Sequence, residues 1–224
     1  LNLRIKYDLN DKSRLVYIPS LSYQDNRSLN YTLGRNTNAL GEIINQTENN
    51  YESTNRGYNL NNYLLFQHKF DKIGRSISFG VNSRITNTDR ENYYEEFMAD
   101  SLTEYLTDEK NKSLQLSATY AEPVGLNGEL SASYRVNFND RISDKETYLL
   151  DSETDEREFS PQLSNEFNSG YTTQEPSITY SNRGFGRFFN VGISYKNATL
   201  DNEQFYPEAS NINKEFNSIL PTEK

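Results

Sequence analysis

The sequence predicts an all-β chain, a section of an antiparallel transmembrane β-barrel with about eight long strands and alternating short turns and long loops. Three observations predict it. Apolar residues recur with a period of two over segments of roughly ten residues. The connections alternate between short turns rich in Asp, Asn, Gly or Pro and stretches longer than compact domains normally carry. Finally, only 34% of the 224 residues are hydrophobic, yet 17 Tyr and 12 Phe are present. Disordered chains are poor in aromatics, so the small apolar content is patterned rather than missing.

In the first segment Leu1, Leu3, Ile5 and Tyr7 share one face, and Asn2, Arg4 and Lys6 the other, giving a strand with one wet side. The pattern returns with Leu15, Tyr17, Leu21 and Tyr23. A third strand carries Tyr58, Leu60, Leu64 and Phe66, with Tyr63 and Leu65 in the opposite phase. Ile77, Phe79, Val81 and Ile85 form the fourth, and Leu114, Leu116, Ala118 and Tyr120 the fifth. The sixth runs through Leu130, Ala132, Tyr134, Val136 and Phe138. Ile178 and Tyr180 close a seventh. In the eighth, Phe189, Val191, Ile193 and Tyr195 alternate with Asn190, Gly192, Ser194 and Lys196. Pro19 and Pro176 fall inside proposed strands; a closed barrel has no free edge, so they are expected at bulges or strand ends.

The segments DLNDK, DKIG, EPVGLNG and SNRGFG read as tight hairpin turns. The connections near 25 to 55, 88 to 110 and 141 to 170 are long, acidic and Asn-rich, with no sustained period. Strands of about ten residues exceed the usual five or six of soluble sheets. Outer-membrane barrels need about 9 to 11 residues per tilted crossing, with short periplasmic turns and longer extracellular loops. One apolar face per strand suffices there, because the lumen is wet. The apolar face would then meet lipid tails. Tyr7, Tyr23, Phe66, Phe70, Tyr120, Phe138, Tyr180, Phe188 and Tyr195 lie toward strand ends, as interfacial girdles do. Ser113, Gln115, Ser117 and Thr119, then Ser131, Ser133, Arg135 and Asn137, would line a lumen without filling it, which suits a wide barrel better than an eight-stranded one.

Eight crossings beginning and ending outside do not complete a barrel of the usual parity. Residues 1–224 are therefore expected to be a partial outer-membrane barrel domain, lacking a plug and the remaining strands, whose close, FNSILPTEK, trails off after a long loop.

Several classes are excluded. A net charge of −9 argues against a phosphate-tracking surface, so nucleic acid is not an expected partner. The absence of Cys removes disulfides, thiolate nucleophiles and Cys-type metal sites. No run of about 18 apolar residues offers a transmembrane helix, and LNLRIKYDL has no signal-peptide core.

The segments LVYIPSLSY and FGRFFNVGISYKNATLDNEQFYP, followed by INKEFNSILP, resemble the barrel region of TonB-dependent outer-membrane receptors, in particular the outer membrane protein β-barrel family. The resemblance implies a barrel of about 22 strands closed by a plug, located in the cell outer membrane and importing a scarce nutrient with energy transmitted by TonB. TonB would act through regions outside this chain, and the other partners implied are outer-membrane lipid and a small polar ligand. A non-transporting barrel or surface adhesin is the first alternative, and a soluble β-sandwich binding module the second.

Chemistry-bearing residues are sparse, and the chain is expected not to be an enzyme. His68 is the sole histidine, so any Ser-His-Asp relay would need it; its place beside Phe70 on the apolar face reads as an interfacial aromatic near a turn. DSETDERE gathers Asp151, Glu153, Asp155, Glu156 and Glu158, but Glu156 stands where a calcium loop of the EF-hand kind needs Gly, so solvated loop charge is expected. GFG at Gly184 to Gly186 has no helix after it and reads as a turn. No catalytic, cofactor or metal residue is nominated. The ligand-facing part is expected to be the three long loops, with no individual ligand-binding residue named.

Overall fold

Each segment with a two-residue apolar period is a strand in the computed structural model, which describes residues 3–96, 101–151, 154, 156–184 and 187–223. The strands are β1 (Ile5–Asn10), β2 (Ser13–Thr37), β3 (Ile43–Lys69), β4 (Ser76–Glu96), β5 (Ser101–Val124), β6 (Gly128–Leu150), β7 (Arg157–Phe159), β8 (Asn165–Gly184), β9 (Arg187–Gln204) and β10 (Ser210–Glu223). They form one antiparallel ten-stranded sheet in the order β1-β2-β3-β4-β5-β6-β8-β9-β10, with the short β7 also on β6. A sandwich needs two packed layers; the described residues make a single sheet, open between its β1 and β10 edges.

Residues paired across a ladder share a face, and the register assembles the apolar positions into rows. One row runs Tyr17–Leu64–Val81–Leu116–Val136, and its neighbour runs Leu15–Phe66–Phe79–Ala118–Tyr134. Further along, Ala132, Ile178 and Ile193 join the same face. Tyr58, Leu60, Leu64 and Phe66 therefore set the phase of β3, while Tyr63 and Leu65 pair with Ile18 and Val16 on the opposite face. No second layer covers the apolar face: Val191, Ile193 and Ile219 remain 52%, 55% and 66% exposed.

The apolar band crosses these rows obliquely. Its midpoint on β2 lies near Ile18, between Leu15 and Leu21, and on β9 near Gly192, between Phe189 and Tyr195. The row of Ile18 passes through Tyr63, Asn82, Gln115, Asn137 and Thr173 to Ala198, which is 198 − 192 = 6 residues from Gly192 after six strand-to-strand steps. One residue of drift per strand, at about 3.3 Å rise and about 4.8 Å strand spacing, tilts the strands by about 35° to the normal of the band. On β6 the band runs from Leu130 to Phe138, roughly 26 Å along the strand and so roughly 22 Å tall. Membrane barrels combine a tilt of about 35–45° with an apolar band about 25 Å tall.

Four expectations are corrected. The connections near 25 to 55, 88 to 110 and 141 to 170 are not loops over most of their length: β2 pairs with β3 from Ser13↔His68 to Thr37↔Ile43, and β4, β5, β6 and β8 extend likewise beyond the band. Both sides of these extensions are mostly polar, so little alternation marks them, Leu29, Tyr31 and Leu33 of β2 being the exception. The segment FNSILPTEK is likewise no trailing end; it belongs to β10, which pairs with β9 from Ser210↔Gln204 to Glu223↔Val191. With β10 running back, the first and last strands no longer leave both ends at the long-hairpin margin. Nor do the prolines mark bulges or strand ends. Pro19 turns its carbonyl, and hence its hydrogen-less nitrogen, toward β1, where Leu3 N–H donates to it at 3.2 Å. Beside Pro176 the β8–β9 ladder skips a pair of rows between Gln174↔Asn197 and Ser177↔Ser194, with the register unchanged.

The short turns are closed by specific side chains. Asn10 Oδ1 accepts from the backbone N–H of Lys12 (2.9 Å) and Ser13 (2.8 Å), an Asx turn between β1 and β2. Gly74 lies at φ +88° between β3 and β4, where a Cβ would also meet Pro123 at 3.3 Å. That turn is tied to β5 by Glu122, which accepts from Arg75 Nε (2.6 Å) and Nη2 (2.8 Å), from Lys72 Nζ (2.5 Å) and from Tyr120 OH (2.7 Å). These donors, Arg75 first, hold the Glu122 carboxyl well below the usual carboxylate range. A lowered folded-state pKa contributes stability that is present above the unfolded-state pKa and lost as pH falls through the folded one. Hydrogen exchange at residues 70–75 of the intact protein should therefore stay slow until strong acid. Glu122→Gln should lower the protection factors there at neutral pH and remove their loss in strong acid, once the intrinsic pH dependence of exchange is divided out.

Candidate functional site

The polar face is continuous from the band into the extended hairpins. Ser113, Gln115, Ser117 and Thr119 pair with Asn139, Asn137, Arg135 and Ser133, so the residues expected to line a wet wall do share a face. Asn190, Gly192, Ser194 and Lys196 share it on β9, as Ser177↔Ser194 and Thr179↔Gly192 require. Side chains bridge the strands: Ser133 and Ser177 hydroxyls lie 2.6 Å apart, Asn137 Nδ2 donates to Thr173 Oγ1 at 2.9 Å, and Asn92 Oδ1 accepts from Tyr51 (2.8 Å) and Ser53 (2.7 Å). The amide oxygens of Asn49, Asn55, Asn61 and Asn82, also on this face, are buried without a hydrogen-bond partner.

Charge on the polar face is predominantly basic. From the band upward toward the long hairpins it carries Arg84, Arg90, Arg135, Arg141, Lys145, Lys196 and Lys214, against Glu109, Glu158 and Glu175 among the residues whose side chains are described. Arg135 lies 3.8 Å from Glu175. Glu109 is shared: Arg141 Nη2 donates to it at 3.1 Å, and Arg90 Nη2 stands 4.0 Å from its other oxygen. Lys145 Nζ sits 4.5 Å above the ring of Tyr105, and the Arg141 guanidinium 5.5 Å from that of Phe167. Sequence reading named only Arg135 and Lys196 of these bases. The others become visible once the hairpins are known to continue in phase, since Arg141 and Lys145 share the parity of Arg135 along β6.

The opposite face, above the apolar band, is acidic. Asp89, Asp108, Asp144 and Glu166 form one row across β4, β5, β6 and β8, with Arg56 at its β3 end. Glu91 and Glu146 flank Leu106 in the next row. Like charges opposed across strands destabilise. Lys110 relieves the row through Asp108 at 2.7 Å. Asp144 bears the cost: burial first, then repulsion from Glu146 and Asp108, raises its pKa against the pull of Lys110.

His68 lies on the apolar face at the short-turn margin. Its Nδ1 is 2.8 Å from Ser13 Oγ, and its ring meets Phe70 edge-on at 4.8 Å, with Tyr120 the next ring beyond Phe70 at 6.4 Å. The Ser13 contact, which the sequence did not reveal, joins β2 to β3; Asp71 bonds to Lys12. Within the acidic segment, Asp151 Oδ1 accepts from Thr154 N–H at 2.8 Å, while Arg157 pairs with Glu104 at 2.7 Å and stacks on Tyr148 at 3.7 Å. Glu153 and Asp155 lie outside the described residues, as do Phe185 and Gly186 of the GFG turn. Among the described residues no group of His, Asp and Glu is arranged to hold a metal ion.

No family model and no curated protein matches the chain. Solved structures do. The ferric citrate transporter FecA in its unliganded form aligns over 96% of this chain and 34% of its own, with a TM-score of 0.54 and 10% identity. The ferric yersiniabactin uptake receptor FyuA from Yersinia pestis aligns over 99% and 40%, with a TM-score of 0.36 and 6% identity. The chain thus spans about a third of the length of the first of these structures, and the likeness to it is one of fold.

The raised pKa of Asp144 has a definite sign. Stability is fully present below its unfolded-state pKa and lost as pH rises through the folded one. Asp144→Asn should accordingly raise the melting temperature of the intact protein at neutral pH. The gain should shrink on acidification, as followed by thermal melts at a series of pH values.

Proposed function

We propose that this chain is part of the barrel wall of a TonB-dependent outer-membrane receptor that imports a scarce nutrient. The observation that carries the proposal is the single apolar band, continuous from β2 to β9 on one face only and drifting by about one residue per strand. Such a band fits a slab of hydrocarbon crossed by tilted strands. The likeness of fold to a transporter barrel supports it. In this reading the apolar face meets outer-membrane lipid, the polar face lines the lumen, and the extended hairpins rise outside the cell to meet a small polar ligand. Energy coupling to TonB belongs to regions outside this chain.

Neighbouring residues on β9 test the assignment. Val191 faces the apolar side near the middle of the band, and Ser194 the polar side. In the intact protein Val191→Arg should destabilise the folded barrel by about 2–4 kcal/mol. Ser194→Arg should cost much less. Denaturant titration in lipid vesicles measures both, and equal losses would overturn the assignment of the faces.

A further inference from the structure

The net charge of −9 conceals an opposition between the two faces of the sheet. We propose that the polar face is an anion-binding wall and that its cargo carries carboxylate or phosphate groups, held first at the cluster of Arg90, Arg141 and Lys145. This inference rests on the lumenal reading of the polar face.

The cluster is built by register. Glu109 on β5 pairs with Thr88 on β4 and Ser143 on β6, so Arg90, Arg141 and Lys145 all occupy positions diagonal to it. Three basic side chains thus occupy positions around one carboxylate. Glu109 accepts from Arg141 and approaches Arg90, spacing the guanidiniums across neighbouring strands, but it neutralises only one of the three charges. Tyr105 and Phe167 supply ring faces beneath Lys145 and Arg141. Below the cluster, Arg84 and Lys196 continue the basic character into the band. Solubility does not explain this arrangement, because the acidic residues that make the chain negative stand on the opposite face: Asp89, Asp108 and Asp144 alternate with the polar-face bases along the same strands. A surface of one predominant sign concentrates solutes of the other, and guanidinium forks match carboxylate and phosphate oxygens.

Adjacent residues of β5 provide the test, since the chain contains no cysteine. Thr107 pairs with Arg90 and Lys145, while Leu106 pairs with Glu91 and Glu146 on the other face. Single variants Thr107→Cys and Leu106→Cys are made in the intact protein, with the parent as blank and folding checked by heat-modifiable mobility. Each is reacted with an anionic and a cationic methanethiosulfonate of similar size. The anionic-to-cationic rate ratio should be about tenfold higher at position 107 than at 106 and should converge in high salt. Inorganic pyrophosphate or propane-1,2,3-tricarboxylate should slow modification at 107 severalfold, with the stronger protector identifying the phosphate or carboxylate source. The neutral trisaccharide raffinose should not, and Arg90→Gln with Arg141→Gln should abolish protection. Equal ratios at the two sites, no protection by either anion, or equal protection by raffinose would each overturn the proposal. Failure of the Val191 test alone would remove the membrane assignment while leaving a demonstrated anion site, so the two failures are distinguishable.

Discussion

Strand register is the constraint on which everything else in this sheet depends. Because side chains alternate with a period of two, a slip of one residue would exchange the two faces of a strand. Here the faces have incompatible surroundings, one apolar through the band and acidic above it, the other largely polar, with bases predominating above the band. The register is pinned at the short-turn margin, where Asn10 closes β1–β2, Gly74 turns β3 into β4 and Gly125, at φ +65°, turns β5 into β6. It then propagates along ladders more than twenty rows long, without a shift in β4–β5 and β5–β6 and with one only at the far end of β2–β3, between Asn36 and Thr37. Even where Pro176 interrupts the ladder, the pairs on either side keep the same alignment. The backbone thus absorbs a missing donor more readily than a change of phase.

This constraint explains what the sequence made legible. Within the band, alternation is enforced by the contrast between apolar and polar surroundings, so Leu15, Phe66, Phe79 and Tyr134 announced both their strands and their common face. Beyond the band the contrast disappears. Residues such as Asn26 and Asn55, or Thr107 and Lys145, pair as regularly as those below, yet most of their neighbours are polar and, apart from Leu29, Tyr31 and Leu33, little period survives. The same blindness hid β10, where Ile212, Phe216 and Leu220 share a face with Lys214 and Ser218. Turn chemistry was legible because it is local: Asn, Gly and Asp mark their own positions. The contact of Ser13 with His68 joins residues 55 apart and needed the ladder itself.

The candidate site was hidden for a related reason. Net charge is a sum over both faces, and the sum is dominated by carboxylates on the side carrying the apolar band. Read without register, Arg90, Arg141 and Lys145 disappear among Asp89, Asp140 and Asp144, which are their close neighbours along the chain. Read with register, the acids and bases separate onto opposite surfaces. A net charge that argued against nucleic acid therefore says little about smaller anions at the wall. The chain's low isoelectric point and a basic polar face are compatible once the sign is assigned face by face.

Geometry also favours hydrocarbon over protein as the cover of the apolar face. A second sheet packed in a sandwich would lie within about 30° of the first and bury a patch matched to its own outline. The apolar positions instead form a band of nearly constant height that spans the sheet from β2 to β9, slanting against the rows by one residue per strand. His68, Phe70 and Tyr120 border it at one margin, with Tyr180 and Phe189 5.8 Å apart further along the same side. At the other margin Asp140 and Asp201 flank Gly170 in a single row immediately above it. The continuous apolar band therefore ends along a line oblique to the strands, whereas the strands themselves continue with only scattered apolar residues such as Leu33, Leu106 and Ile142. A boundary indifferent to strand direction is what a planar medium imposes, because its edges are set by the medium and not by the ends of a partner sheet.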